Sequence, residues 1–204
     1  NKLYDLGLKK DLLHLLLPEK QVIETIIRER TIDCVLSFGH HKTNRVLGAI
    51  SAKAGVEFIP ENDGNCWGYI DKDFSFSDKE LISTIKKSVI KHNGQMCDSL
   101  HGLLIHEDVF DDISGEIVQS IKEVDVGDPL VASSDVGALL DNTVSRASEV
   151  IEDAGGEVYG HYVENNMMDP TIILEPSIDS MLVKAGVFAP VLWIKSVSGS
   201  QEVI

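Results

Sequence analysis

Residues 33–59 read DCVLSFGHHKTNRVLGAISAKAGVEFI. The first six residues form a short apolar run, closed by Gly39, which is the pattern of a buried strand. Residues 43–54 carry apolar side chains at helical spacing, and the last four residues of the stretch form a second apolar run. A further helical stripe over residues 19–30 precedes it. The order helix, strand, helix, strand is typical of a parallel α/β layer.

The same alternation continues along the rest of the chain. Residues 125–138, which are rich in Gly, Pro, Ser and Asp, are expected to form a loop. Further strands are predicted at 68–71, 103–106, 157–162, 171–174 and 190–197, and helices at 78–91, 109–122 and 139–154. The sequence therefore predicts an α/β fold.

The charge of the chain excludes some classes of partner. Its 204 residues include 18 Lys and Arg against 33 Asp and Glu, which gives a formal net charge of −15. A surface this acidic repels phosphate backbones and anionic membranes, so no nucleic-acid or membrane partner is expected. The N-terminal residues do not read as a signal peptide, and no apolar run is long enough for a membrane span. A cytoplasmic location is expected.

Three cysteines occur, at Cys34, Cys66 and Cys97. An odd number in a chain of this size argues against a disulfide framework. No C-x-x-C or H-x-x-x-H pair is found, and the histidines show no ligand spacing, so we expect no metal site.

Cys97 lies in the segment HNGQMCD, residues 92–98, after a predicted helix and before a predicted strand. A polar turn that contains glycine leaves main-chain N–H groups and a side chain open to a cleft, as a reactive thiolate requires. Free cysteines are more often buried, so a small buried side chain is the alternative.

Two weaker signals lie earlier in the chain. Glu61 ends a predicted strand, where ligand crevices of α/β folds form, so it could act as a general base; a solvated loop glutamate is the alternative. The segment 39–41, Gly-His-His, lies between a strand and a helix, where main-chain N–H groups can cradle a phosphate. No G-x-G-x-x-G is present, and ordinary loop histidines are the alternative.

Taken together, these segments resemble the aldehyde dehydrogenase superfamily, whose motifs they follow in order. They cover nearly the whole chain. The matching segments are Val35–Arg45 (family V-S-F-T-G-S-T-E-V-G-R), Glu61 with Gly64 (E-L-G-G), Asn93–Cys97 (G-Q-x-C), Val126–Leu130 with Asp135–Leu139 (V-G-D-P-x and D-x-G-P-L), Asp169–Thr171 (E-P-T) and Val187–Val191 (I-F-G-P-V).

The resemblance implies a three-layer aldehyde dehydrogenase-like catalytic domain with a partial Rossmann-like segment. Residues 1–60 would be the trailing part of a dinucleotide-binding domain. Residues 61–204 would be the catalytic thiol domain, truncated at its C-terminus. The full-length protein is expected to form a homo-oligomer.

The resemblance also implies a reaction, the NAD- or NADP-dependent oxidation of an aldehyde to a carboxylic acid. Cys97 would attack the aldehyde to give a thiohemiacetal and then a thioacyl enzyme, and Glu61 would activate water for hydrolysis. Gly39, His40 and Phe188 would contact the cofactor. Cys34 and Cys66 are then expected to be structural thiols.

Several positions depart from the family pattern. His40 and His41 replace Ser-Thr, Asn44 replaces the helix-opening Gly, and Gly186 replaces a glutamate that holds the nicotinamide ribose in relatives. In addition, residues 64–71 resemble a stretch of the glutamyl phosphate reductases. Two alternatives therefore stay open: reduction of an acyl-CoA or acyl phosphate to an aldehyde, or a non-catalytic, aldehyde dehydrogenase-like fragment or interaction module.

Overall fold

The computed structural model describes residues 5–7, 9, 12–16, 19–74 and 78–203. The chain forms two compact units, Asn1–Asp63 and Gly64–Ile204. Both combine helices with strands that are mostly parallel, which confirms the predicted α/β class. The identity of the two units as cofactor and catalytic domains stays a prediction.

The first unit has the predicted order of helix, strand, helix and strand. Strands β1 and β2 pair in parallel, and Phe38 lies opposite Glu61 where the pair ends. Ile27, Ile50 and Val56 form its buried core. The elements are α1 (Lys20–Arg28), β1 (Cys34–Phe38), α2 (His41–Ala54) and β2 (Glu57–Glu61).

Helix α2 begins two residues earlier than the sequence predicts, at His41 instead of Thr43. The reason is a cap from a distant part of the chain. The Asp63 carboxylate accepts the main-chain N–H of His41 at 2.7 Å, and the His40 ring accepts that of Lys42 at 3.2 Å. Side-chain acceptors of this kind satisfy the free N–H groups of a helix start. A partner 22 residues away leaves no local signal in the sequence.

The second unit contains the larger sheet. Its strands are β3 (Cys66–Ile70), β4 (Leu100–His106), β5 (Glu157–Tyr159), β6 (Val163–Glu164), β7 (Met167–Met168), β8 (Thr171–Leu174) and β9 (Val191–Val197). Its α-helices are α3 (Asp78–Ile90), α4 (Phe110–Ile121), α5 (Asp141–Ala154) and α6 (Met181–Ala185), and 3₁₀ turns occur at Lys91–Gly94, Glu107–Val109 and Ser200–Glu202. In the described part of the chain, no helix is long and apolar enough to cross a membrane.

The second unit is built in three layers around the sheet β3-β4-β9-β8-β5. The first four strands are parallel, and β5 runs antiparallel to β8. Successive side chains of a strand point to opposite faces. Accordingly, Leu104 and Trp193 belong to a core shared with α5 and α6. Leu103 and Ile194 belong to a second core, shared with α3 and α4.

Two short features were not predicted. Strands β6 and β7 form a hairpin of two-residue strands, and its turn residues Asn165 and Asn166 both have positive φ angles, 50° and 62°. Asparagine tolerates this conformation better than most residues. Helix α6 has five residues and is capped by the Ser180 hydroxyl, which accepts the N–H of Val183. Elements this short carry no periodic apolar pattern.

We expect Gly102→Ala to destabilise the second unit. Gly102 lies opposite Trp193 in the sheet, and a Cβ at Gly102 would overlap the fully buried indole. Overpacking of a core costs about 1–3 kcal/mol. Urea denaturation measures the loss. The matched control is Gly115→Ala on α4, where a Cβ meets nothing within 4 Å. The control should gain up to about 1 kcal/mol from helix propensity. Equal stability of Gly102→Ala and the wild type would contradict this packing.

Buried His101 should make stability fall in mild acid. It is 1% exposed, and neither ring nitrogen has a well-formed hydrogen bond. Burial lowers its pKa from 6.5, an effect that the Val187 backbone offsets only in part. Because the unfolded chain takes up the proton first, stability is lost as the pH falls through 6.5.

The His101→Phe variant should therefore show a shallower loss of unfolding free energy between pH 7.5 and pH 5.5 than the wild type. His92→Asn, at an exposed histidine, is the control and should keep the wild-type slope. Denaturation at a series of pH values measures both variants. An unchanged slope in His101→Phe would refute this role of the buried ring.

Candidate active site

Cys97 lies at the end of a strained loop. The residues before it form a 3₁₀ turn, in which His92, Asn93 and Gly94 have φ angles of 52°, 59° and 67°. Non-glycine residues in this left-handed region cost about 1–3 kcal/mol each and persist only where their surroundings hold them. The neighbours of this loop therefore determine where the Cys97 side chain lies.

Two segments clamp the start of the loop. The side chain of Asn93 accepts the N–H of Gly137 at 3.0 Å and donates to the oxygen of Ala138 at 3.3 Å. Gly94 lies against the main chain of Ala189, so closely that a Cβ at Gly94 would overlap that carbonyl. The loop is thus fixed to two regions that are distant in sequence.

A third segment supports Cys97 itself. Gly64 lies against the Cys97 main chain, and a Cβ at Gly64 would overlap the Cys97 carbonyl. The Cys66 thiol donates a hydrogen bond to the same carbonyl oxygen at 3.3 Å. The beginning of β3 therefore holds the Cys97 peptide in place.

The Cys97 side chain is exposed, which excludes its interpretation as a small buried residue. Cys34 and Cys66 are also exposed, and their role as structural thiols stays a prediction. Cys97 comes three residues before β4 and lies at the amino edge of the parallel sheet. The general rule for α/β sheets places ligands at the carboxyl edge and would have missed it.

Phe188 lies on the segment that leads into β9. It is half-buried, and its ring centre is 6.1 Å from that of His101. The next residue, Ala189, is the one that contacts Gly94. The structure therefore brings the Phe188 segment to the Cys97 loop.

Gly186, where the resemblance leads us to expect a glutamate, lies close to two side chains. Its φ is +64°, and a Cβ would lie 3.0 Å from Oδ1 of Asn65 and 3.5 Å from Cγ of His101. Both polar atoms of the Asn65 side chain are hydrogen-bonded. Its oxygen accepts from the Trp67 indole at 3.1 Å, and its nitrogen donates to the Val183 oxygen at 2.9 Å. The asparagine occupies the space next to this position.

In the first unit, Gly39 and Glu61 meet at the carboxyl edge of β1 and β2. The main-chain oxygen of Glu61 accepts the N–H of Gly39 at 3.0 Å, and the Glu61 side chain is exposed. The buried amide of Asn44 donates to Glu61 O at 3.3 Å, Gly39 O at 3.2 Å and Asn62 Oδ1 at 2.9 Å. Asn44 thus joins the two strand ends.

The role of Asn44 was not predicted, although its position offered a signal. Asn44 is 3% exposed and lies in the first turn of α2, where an asparagine on the inner face requires partners. Its Oδ1 accepts the Ser37 hydroxyl at 2.7 Å, which completes the network.

His40, His41 and Asp63 form a polar cluster at the start of α2. Oδ2 of Asp63 lies 3.0 Å from Nδ1 of His41 and 3.6 Å from Nε2 of His40. Burial raises the pKa of Asp63, but hydrogen bonds from the His41 ring and main chain and the nearby His40 outweigh it and lower the pKa to about 2. Asp63 is therefore ionised at neutral pH.

The donor atoms of this cluster lie within 4.8 Å of one another, a spacing at which three ligands can hold a metal ion. However, Nδ1 of His40 accepts the N–H of Lys42, so in the neutral ring the proton is on Nε2, the nitrogen that faces Asp63. Metal ligation at Nε2 would require that proton to move. We assign the cluster to capping of α2.

The predicted site residues thus form two groups. Gly39, His40 and Glu61 lie in the first unit, and Cys97 and Phe188 lie in the second. Each group is fixed by hydrogen bonds or close main-chain contacts within its own unit.

Comparison with known proteins gives consistent matches. A family model described as the Aldehyde dehydrogenase family matches residues 2–204. The chain is 29% identical to aldehyde dehydrogenase family 7 member A1 of Brassica napus, over 90% of the chain and 38% of the relative. It is 26% identical to D-glyceraldehyde dehydrogenase (NADP(+)) of Picrophilus torridus, over 98% of the chain and 43% of the relative.

Among solved structures, succinate-semialdehyde dehydrogenase from Burkholderia pseudomallei is similar in fold, with a TM-score of 0.91 at 20% identity. That match covers 98% of this chain and 43% of the other. The chain therefore spans less than half the length of the relatives it matches. Since the family model matches almost from end to end, and the fold agrees, the chain belongs to the aldehyde dehydrogenase family.

Proposed function

We propose that the native protein oxidises an aldehyde to a carboxylic acid, with NAD or NADP as the oxidant, through a covalent intermediate on Cys97. The observation that carries this proposal is the Cys97 loop, which is exposed, strained and held by three other segments. An accessible thiol in a fixed position suits covalent catalysis. A relative named D-glyceraldehyde dehydrogenase (NADP(+)) supports this class of reaction.

In the first step, the Cys97 thiolate attacks the carbonyl carbon of the aldehyde. A carbon–sulfur bond forms, and the π electron pair moves to oxygen to give a thiohemiacetal oxyanion. The main-chain N–H of Cys97 is one donor to that oxyanion. The clamped loop supports this step, because a donor contributes most when it is already oriented.

Gly39, His40 and Phe188 are the residues that would hold the cofactor, which when bound accepts a hydride from the substrate carbon. The space beside Gly39 is open, although its N–H is already bound to the Glu61 oxygen. Among the described residues, only Oδ1 of Asn44, at 3.9 Å, lies within 4 Å of the position that a Cβ would take at Gly39. A side chain at position 39 would block access of a ligand to the main chain.

Glu61 is the proposed general base for the last step. Its carboxylate would take a proton from water, whose oxygen attacks the thioacyl carbon and releases the Cys97 thiolate. In support, the side chain is exposed while its main chain is fixed by Gly39 and Asn44. The reductive alternative needs no activated water, so Glu61→Gln should slow only the oxidative reaction.

A non-catalytic role is the second candidate, and Gly186 favours it. The glutamate expected from the resemblance is absent, and Asn65 occupies the adjoining space. Under this role the native protein would bind neither NAD nor NADP. A thermal shift on addition of either nucleotide separates the two candidates.

Cys97 should be the cysteine that reacts first in the native protein. Limiting iodoacetamide followed by peptide mass analysis should find Cys97 labelled ahead of Cys34 and Cys66, because the proposed mechanism makes Cys97 the activated nucleophile. Cys97→Ser should lower aldehyde-dependent nucleotide reduction by on the order of 10³-fold or more. Cys34→Ser, at another exposed thiol, is the control and should retain activity. Earlier labelling of Cys34 or Cys66, with full activity in Cys97→Ala, would exclude Cys97 as the nucleophile.

Asp63 should weaken cofactor binding at the start of α2. The first two N–H groups of this helix are already bound, that of His41 to Asp63 and that of Lys42 to His40. The ionised Asp63 carboxylate also repels a diphosphate. Asp63→Asn keeps an oxygen that can accept from His41 but removes the charge.

We expect Asp63→Asn to bind NAD or NADP about fivefold more tightly, which corresponds to about 1 kcal/mol for a charge at a helix terminus. Calorimetric titration of the native protein measures this. Asp33→Asn, which changes an exposed carboxylate at the opposite end of β1, should leave the affinity unchanged. Weaker or equal binding by Asp63→Asn would show that the carboxylate does not oppose the cofactor.

A further inference from the structure

The exposed Cys66 thiol lies against the main chain of Cys97, whose own thiol is also exposed. Cys66 begins β3, Cys97 precedes β4, and these strands pair in parallel. The sulfur of Cys66 lies 3.3 Å from the main-chain oxygen of Cys97, to which it donates a hydrogen bond. The fold thus brings together two cysteines that are 31 positions apart in sequence.

The two side chains can form a disulfide after a small movement. A main-chain oxygen lies about 2.4 Å from the α-carbon of its own residue, so the Cys66 sulfur is at most about 5.7 Å from the Cys97 α-carbon. In a disulfide, whose sulfur–sulfur bond is about 2.05 Å, the sulfur of one cysteine lies about 4 Å from the α-carbon of the other, so the Cys66 sulfur has to approach by up to about 2 Å. Rotation of the two side chains, with a small shift of the main chain, can close the remaining gap.

Neither cysteine lies in the regular part of the β3–β4 ladder. The pairing of β3 with β4 is irregular between Cys66 and Trp67, so Cys66 lies at the irregular end of its strand. Cys97 lies in the loop before β4 and makes no ladder pair of its own. A movement at these two positions leaves the regular register from Trp67 to Ile70 intact.

We propose that Cys66 is the resolving thiol of Cys97, and that a hydroperoxide converts the pair into a reversible disulfide. The Cys97 thiolate attacks one peroxide oxygen, the O–O bond breaks, and hydroxide or alkoxide leaves, which gives a sulfenic acid on Cys97. The Cys66 thiolate then attacks the Cys97 sulfur. The S–O bond breaks, a protonated hydroxyl leaves as water, and the S–S bond forms. The peroxide is reduced, and two thiols are oxidised to one disulfide.

A small-molecule dithiol reverses the reaction by thiol–disulfide exchange. The consequence for catalysis rests on the proposed function: while the disulfide exists, Cys97 cannot attack an aldehyde. The disulfide also protects Cys97, because a sulfenic acid that is not captured is oxidised further to an irreversible sulfinic acid.

Peptide mapping of the peroxide-treated native protein tests the pair directly. The protein is exposed to equimolar hydrogen peroxide, the remaining thiols are blocked, and trypsin is added without reductant. Trypsin can cleave at Lys72 and Lys91, between the two cysteines, so a disulfide appears as two linked peptides. We expect a Cys66–Cys97 linked peptide that disappears after treatment with dithiothreitol.

Two variants test whether Cys66 is the cysteine that forms the disulfide with Cys97. Cys66→Ser keeps a hydroxyl donor for the Cys97 carbonyl, and it should give no linked peptide and several-fold more Cys97 sulfinic acid than the wild type. Cys34→Ser, whose cysteine lies on β1 in the first unit, should give the linked peptide at the wild-type level. Absence of the Cys66–Cys97 peptide in the wild type, or a link from Cys97 to Cys34 instead, would overturn the proposal. The readout needs no aldehyde turnover, so its failure is distinct from failure of the proposed oxidation.

Discussion

The position of Cys97 depends on a clamp around a strained turn. Three successive residues hold left-handed backbone angles just before the Gln95–Cys97 segment, a conformation that a free chain would leave. The Asn93 amide ties the turn to Gly137 and Ala138, and Gly94 rests on the main chain of Ala189. The strain is thus held by segments about 45 and 95 residues further along the chain. This explains why several short motifs, spread over the chain, surround one thiol.

The first unit uses a buried amide in a similar way. Asn44 joins the ends of β1 and β2 and so fixes the main chain of both Gly39 and Glu61. At the same edge, Asp63 caps α2 and places a negative charge at a helix start. The Asp63 carboxylate therefore lengthens the helix by capping it, and its negative charge also repels an anionic ligand. Under the proposed function, this one carboxylate would couple the stability of the unit to its affinity for a dinucleotide.

The sequence was a good guide wherever burial is periodic. The helices and strands of the first unit, and the long elements of the second, follow from apolar spacing and from glycine and proline signals. The sequence did not predict features that depend on a distant partner. The first residue of α2 depends on a cap from Asp63. The role of Asn44 depends on its hydrogen bond to a strand end 17 residues away. Residue type alone favours burial of cysteine, so it gave no indication that Cys34 and Cys66 are exposed. The location of Cys97 at the amino edge of the sheet came from its motif, against the general rule for α/β folds.

The most direct measurement of Cys97 chemistry is to trap the acyl group on its sulfur. The native protein carrying Glu61→Gln, in which hydrolysis should be slow, is mixed with an aldehyde and NAD or NADP, quenched in acid and analysed by peptide mass mapping. Nucleophilic catalysis by Cys97 predicts the mass of the acyl group on the peptide that contains Cys97, and none when the nucleotide is omitted. Consumption of the aldehyde with an unmodified Cys97 peptide, or with the acyl group on Cys34 or Cys66, would contradict it.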